Sequence, residues 1–236
     1  MNRNFEGFNS FNCLLFDLDG TLVDTNDLII RSYYHVLEKY LDRQVPLEEL
    51  MTYFGRPLRE AMQYFSPDNW EELVKAYREF NLANHDQLAR PFSGVREALE
   101  ELHRRGCWLA VVTSKARPVT IMGLRLCGLE HLMDVLVCME DTAVHKPAPD
   151  PVLKALERLQ QKGWPGRKEE ALMVGDSPWD VAAGKAAGIA TATVAWSLFG
   201  RQQLDAEKPD LVLETMSDLL KICGDPCRHQ RRITNF

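Results

Sequence analysis

The chain has 236 residues, a formal net charge of −6, 45% hydrophobic and 26% charged residues, a globular balance with enough apolar material for a sizeable core. The acidic balance argues against the basic stripe of a nucleic-acid binder and the polybasic patch of a membrane-surface protein. No apolar run approaches the roughly 20 residues needed to cross a bilayer, and the opening MNRNFEGFNSF lacks the apolar segment of a secretory signal.

Taken in chain order, the first buried strand is expected at Cys13 to Phe16, running into Asp17, Asp19 and Gly20. Period-two geometry puts the two carboxylates on one side of that strand. A helix follows, with Ile29, Ser32, Tyr33, Val36, Leu37 and Tyr40 at i, i+3, i+4, i+7 spacing, and Asp24 reads as a helix-start residue. From Pro46 to about Ala89 the patterns are helical and no strand is convincing. Pro46, Pro57 and Pro67 each sit near a helix start, where a missing N–H does no harm.

After Gly94 strands and helices alternate. Val95, Ala98, Leu99 and Leu102 mark a helix that Gly106 can end, followed by a strand at Trp108 to Val112 and a helix at Val119 to Leu126. Val135 to Met139 reads as a strand, Val152 to Leu159 as a helix, Ala171 to Val174 as a strand and Val181 to Ala187 as an alanine-rich helix ending at Gly188. Ala190 to Val194 and Leu211 to Leu213 are closing strands before a last helix near Met216 to Cys223.

The pattern predicts an α/β fold: a Rossmann-like parallel sheet with helices on both faces, plus a small inserted all-helical cap. The expected division is a core at 1–25 and 91–223, a cap at 26–90 and a flexible polar tail at 224–236. Right-handed crossovers put all strand C-termini on one edge, the ligand-binding edge of such sheets, where the insertion can sit as a lid.

The six cysteines, at 13, 107, 127, 138, 223 and 227, are scattered, and Cys13, Cys107 and Cys138 lie in or beside apolar runs. Free thiols of this kind suit a reducing cytoplasm better than a disulfide framework. Cys223, Cys227 and His229 form C-x3-C-x-H with no second pair, too little for a zinc site, and a frayed thiol-bearing tail is expected.

Four expected strand ends carry complementary polar groups: Asp17 and Asp19; Thr113 and Ser114; Lys146 before Pro147; and Gly175-Asp176-Ser177-Pro178-Trp179-Asp180. Each has a local explanation: a turn at Asp19-Gly20, a helix cap at Thr113 or Ser114, a solvated Lys146, a helix start at Ser177-Pro178. Those explanations do not account for four such ends in succession on one sheet edge.

Asp17-Leu18-Asp19-Gly20-Thr21, Thr113, Lys146-Pro147 and Gly175 to Asp180 resemble, in order, the four motifs of the haloacid dehalogenase superfamily of phosphohydrolases, over about residues 12 to 220. The insertion corresponds to that family's small cap. The resemblance implies Mg2+ held by the side chains of Asp17 and Asp176 and the main-chain carbonyl of Asp19, with Asp180 as an outer-shell acid. It implies that Asp17 attacks phosphorus to form an aspartyl-phosphate. Asp19 would protonate the leaving group and then activate water, Thr113 and Lys146 would hold the transferring oxygens, and Gly20 would let the backbone turn beneath the phosphate. Ser114 joins the expected phosphate contacts. Relatives that cleave carbon–halogen bonds lack the Asp19 equivalent, so its presence argues for phosphate chemistry.

The substrate is left to the cap. Its polar candidates are Arg56, whose helix start can bind an anion, with Arg59, His35 and the Asn84-His85-Asp86 group. The stretches Asp17 to Ile30, Ala76 to Asp86 (Tyr-Arg-x-x-Asn-x-x-x-His-Asp) and Val194 to Arg201 resemble the bacterial pyrophosphatase branch. The phosphoglycolate phosphatase group shares all four motifs, and Phe54-Gly55-Arg56-Pro57 departs from the Ile-Gly-Pro-like stretch of the pyrophosphatase branch. A pyrophosphatase with a small cationic cap pocket, a small organic-phosphate phosphatase, a silent binding protein on the same fold and a phosphomutase all remain open, the first favoured. The expected partner is a small phosphate, pyrophosphate or phosphoglycolate, with no nucleic acid and no membrane, bound by a monomer or homodimer.

Overall fold

A computed structural model of the protein describes residues 11–223. The chain begins with β1 (Cys13–Phe16) and a two-residue strand β2 (Val23–Asp24), followed by helices α1 (Asn26–Leu41), α2 (Leu47–Met51), α3 (Leu58–Phe65) and α4 (Trp70–Leu88) and the return strand β3 (Arg90–Pro91). It continues through α5 (Val95–Arg104), β4 (Trp108–Val112), α6 (Arg117–Leu126), β5 (Val135–Val137), α7 (Asp150–Gln161), β6 (Ala171–Gly175) and α8 (Pro178–Ala187). It closes with β7 (Ala190–Val194), α9 (Arg201–Ala206) and β8 (Leu211–Leu213).

Six strands form one parallel sheet in the order β5-β4-β1-β6-β7-β8. Strand β1 is central, with Cys13 paired to Trp108 on one side and Ala171 on the other. All four of its residues are buried, as a strand covered on both faces requires. Alternate side chains serve two cores: Leu14 and Phe16 pack with Leu99, Leu102 and Leu124, whereas Cys13 and Leu15 pack with Val152, Leu156, Leu159 and Met173. The chain therefore emerges from β1 at an edge framed by β4 and β6.

Helices α1 to α4 enclose a third core of Tyr33, Val36, Leu37, Leu50, Met62 and Leu73, completed by Phe199 and Leu204 from the segment after β7. Four elements depart from expectation. The antiparallel pairing of β2 with β3 (Val23 with Pro91, Asp24 with Arg90) spans two residues a strand, too few for a periodic signal. Asp24 lies in β2, and its carboxylate accepts the Asn26 amide at the start of α1. Helix α9 has one buried residue and so no apolar stripe, and the last helix is a 3-10 segment, Met216–Lys221. Cys223 is buried in the same core as Cys107 rather than part of a frayed end. The expected tail at 224–236, with Cys227 and His229, lies outside the described residues. Among the described residues no helix is long and apolar enough to cross a membrane.

Candidate active site

The C-terminal edge of the sheet gathers the four polar strand ends. Asp17 continues the ladder by one residue, its amide donating to the Val174 carbonyl at 2.9 Å. The chain then turns back over Leu18, whose carbonyl accepts the Leu22 and Val23 amides. Gly20 has φ +77, and a Cβ there would collide with the Asp176 carboxylate, so both backbone conformation and space demand glycine. This tight turn keeps Asp17, Asp19 and Asp176 within one small region.

Lys146 reaches this edge from the loop before α7, and its Nζ donates to Asp17 Oδ1 at 2.8 Å, Asp180 Oδ1 at 2.6 Å and the Val112 carbonyl at 3.2 Å. All three ammonium protons are thus satisfied inside the protein. Burial by itself would lower the Lys146 pKa, but Asp17 and Asp180 outweigh it and hold the group charged. Burial pushes Asp17 up to about 7; Lys146 pulls the other way, and the charges of Asp180 and Asp19 add to the rise. Burial, then Asp17 and Asp180, raise Asp176 well above the carboxylate range.

This excess of carboxylate is what a divalent cation would offset. Oxygens of Asp17, Asp176 and Asp180 lie within 4.8 Å of one another, and an all-oxygen donor set suits magnesium. Asp180 is already committed: Oδ1 accepts from Lys146, and Oδ2 accepts from the Ser177 amide at 3.0 Å and hydroxyl at 2.6 Å. That leaves Asp17 and Asp176 to offer free oxygens, and Asp180 as the group that orients Lys146.

Asp19 is held differently. Thr25 Oγ1 donates to its Oδ1 at 2.6 Å, and Lys115 Nζ forms an ion pair with the same oxygen at 2.5 Å. Its side chain is 24% exposed against 5% for Asp17, so the two carboxylates of one turn meet different surroundings. Thr113, at the end of β4, is buried; its amide donates to Val137, and its hydroxyl accepts the Lys115 amide at 3.2 Å.

Two core residues grip the loop between α2 and α3. Ser114 Oγ donates to the Gly55 carbonyl at 2.8 Å, and Trp179 Nε1 donates to the Phe54 carbonyl at 2.9 Å. Gly55, at φ +79, lies so close that an added Cβ would be 3.0 Å from the Trp179 ring. Arg56 lies on the wall of the cavity above the strand edge, with its guanidinium 4.1 Å from the Trp179 ring centroid, Glu60 at 3.8 Å, and its buried Nε without a hydrogen-bond partner among the described residues.

The other helical candidates point to packing. Arg59 lies over Trp70, His35 stacks on Phe80 at 4.3 Å, and Asn84 donates to the Phe80 carbonyl. His85 is buried, with Nδ1 2.9 Å from Asp86 and Nε2 unpartnered among the described residues. None of these lines the cavity. The sequence reading missed Lys115, Thr25 and Trp179. Lys115 directly follows the hydroxyl pair at the end of β4, which was its only available signal. Trp179 lies inside the fourth motif, where a tryptophan reads as a helix-start residue.

The haloacid dehalogenase-like hydrolase family profile matches residues 14–194. The chain is 47% identical over 209 residues to the PpaX protein of Caldanaerobacter subterraneus subsp. tengcongensis, covering 89% of this chain and 93% of that one. It is 43% identical over 215 residues to the pyrophosphatase PpaX of Anoxybacillus flavithermus, covering 91% and 98%. Among solved structures, that of "a predicted phosphoglycolate phosphatase" from Haemophilus somnus superposes with a TM-score of 0.81 at 25% identity, covering 92% and 99%. By motif order, sheet order and family match, the chain belongs to the haloacid dehalogenase-like hydrolase family.

Proposed function

We propose that the chain is a magnesium-dependent phosphohydrolase that passes the phosphoryl group through Asp17, with inorganic pyrophosphate as its first substrate and phosphoglycolate as the alternative. The observation that carries this reading is a buried Asp17 carboxylate bonded to Lys146 at 2.8 Å, beside an Asp19 held by Thr25 and Lys115. The pyrophosphate preference rests on the names of the PpaX relatives, and the alternative on that of the Haemophilus somnus structure. Residues 26–90 are read as a cap that shields the reaction from water, in a cytoplasmic enzyme whose thiols stay free.

Asp17 and Asp176 would hold the magnesium ion, with the Asp19 carbonyl as the resemblance implies, and the ion supplies neutralisation of the phosphoryl oxygens. Asp17 attacks phosphorus while Lys146 and Thr113 hold the transferring oxygens. Asp19 gives its proton to the departing oxygen, then takes one from the water that hydrolyses the aspartyl-phosphate. Asp180 keeps Lys146 aimed, and Ser114 acts by docking the Gly55 loop rather than by capping a helix.

The test is a comparison of kcat/KM for pyrophosphate, phosphoglycolate and several sugar phosphates, with magnesium and with excess chelator. Pyrophosphate should lead and chelator should stop phosphate release. A lead for phosphoglycolate would reverse the substrate order, and undiminished release in chelator would sink the mechanism.

A further inference from the structure

The cavity over the strand edge has a volume of about 530 Å³, within the roughly 300–1,000 Å³ of sites that bury organic ligands and far more than pyrophosphate can fill. Asp17, Asp19, Thr113 and Asp176 line it, so the reacting groups and the surplus space are one compartment. The surplus is walled by Tyr33, Leu58, Tyr77 and Leu82 from the helices and by Val119 and Met139 from the sheet side. The ring centroids of Tyr33 and Tyr77 are 5.1 Å apart in an edge-to-face pair, so the two rings hold each other as part of this wall.

Of the wall cations, Lys115 is paired with Asp19, Arg78 lies at the exposed rim, and Arg56 stacks on Trp179 with its buried Nε unpartnered among the described residues, which leaves one guanidinium donor for an anionic end. One further feature points beyond a purely inorganic ligand. Leu82 is 51% exposed on this wall, so it contributes little to the folded core. A leucine so placed gains when an apolar ligand covers it. Pyrophosphate, all charge and oxygen, gains nothing from such a wall and loses hydration against it.

We propose that the same site hydrolyses phosphate monoesters whose leaving alcohol carries an apolar body, aliphatic or aromatic, lodged against this wall. The proposal rests on the phosphohydrolase reading above. A bond forms from an Asp17 carboxylate oxygen to phosphorus as the bond from phosphorus to the ester oxygen breaks, and Asp19 delivers its proton to that oxygen to give the neutral alcohol. Water then attacks the aspartyl-phosphate, returning its proton to Asp19; inorganic phosphate leaves and both carboxyl groups are restored.

The experiment uses ethyl, butyl and hexyl phosphate, whose leaving alcohols differ little in acidity, with pyrophosphate alongside and magnesium in the buffer. The value of kcat/KM should rise about two- to four-fold for each added methylene, and the hexyl-to-ethyl ratio should fall in Leu82→Glu, an exposed position whose change spares the core. A flat series with normal pyrophosphate turnover overturns the proposal and leaves the phosphohydrolase reading intact. An unchanged ratio in a folded Leu82→Glu protein overturns the assignment to this wall. No phosphate release from any of them, pyrophosphate included, sinks both.

Discussion

Asp17 and Asp19 are two residues apart yet differ in exposure and partners, because Asp17 extends the ladder one residue past β1 and pairs with Lys146, while Asp19, within the turn that follows, meets Thr25 and Lys115. In the proposed mechanism that difference suits one carboxylate to attack and the other to move a proton. Asp17→Asn should abolish phosphate release while circular dichroism stays native, since the amide cannot form the acyl phosphate. Lys146→Met should lower kcat by about 10²–10³, the scale of losing a preorganised charge on the transferring group. Full activity in either variant would remove that residue from the mechanism. Gly20→Ala should cost about 1–3 kcal/mol in denaturant unfolding, because an L side chain at φ +77 is strained, and activity should fall further because the Cβ displaces Asp176.

At the scale of elements, one helix start does two jobs. Ser177 and Asp180 form the capping box of α8 with Pro178 in its first turn, and the same Asp180 holds Lys146. The helix-start explanation of that motif therefore holds, and it is compatible with the proposed active-site role. Trp179, in the same turn, anchors the Phe54 carbonyl, so α8 links Lys146 to the loop above. Removing both loop anchors, in Trp179→Phe with Ser114→Ala, should weaken docking by about 0.5–1.5 kcal/mol for each lost bond. Hydrogen exchange at residues 53–57 should speed up accordingly; unchanged exchange would show that the loop is held by packing alone. Asp141 joins two other elements, accepting from Arg117 at the start of α6 and from Arg158 of α7. Burial would raise its pKa, but Arg158, the Cys138 amide and Arg117 more than offset this and lower it. A lowered folded pKa means stability present above the unfolded value of about 3.9 and lost as pH falls through it toward the folded one. Asp141→Asn should thus cost about 1–3 kcal/mol at pH 7, a gap that narrows below about pH 4. A gap independent of pH would assign the loss to packing.

Across the whole molecule, the carboxylate excess at the strand edge sets a cost that cation binding relieves. Magnesium at about 100 times its Kd should stabilise the fold by about 2.7 kcal/mol, read as a rise in Tm that Asp176→Asn removes. A Tm indifferent to magnesium would argue against a resident ion. The sheet, its strand ends and their order were legible in the chain because buried parallel strands are short apolar runs, and the residues that follow them must all emerge at one edge. Asp17, Asp19, Thr113, Lys146, Asp176 and Asp180 could be named on those grounds. The two-residue β2 and β3 carry no periodicity, and Cys223 shares a core with Cys107 only because the final 3-10 segment folds back. Arg56 shows most clearly where local pattern stops: glycine before it and proline after it announce a helix start, but its stacking on Trp179, 123 positions along the chain, depends on how α8 meets the α2–α3 loop. The identity of the chemical groups was thus local information. The size and apolar character of the space above them arise from side chains far apart in the chain, and existed only once the helices had packed over the sheet edge.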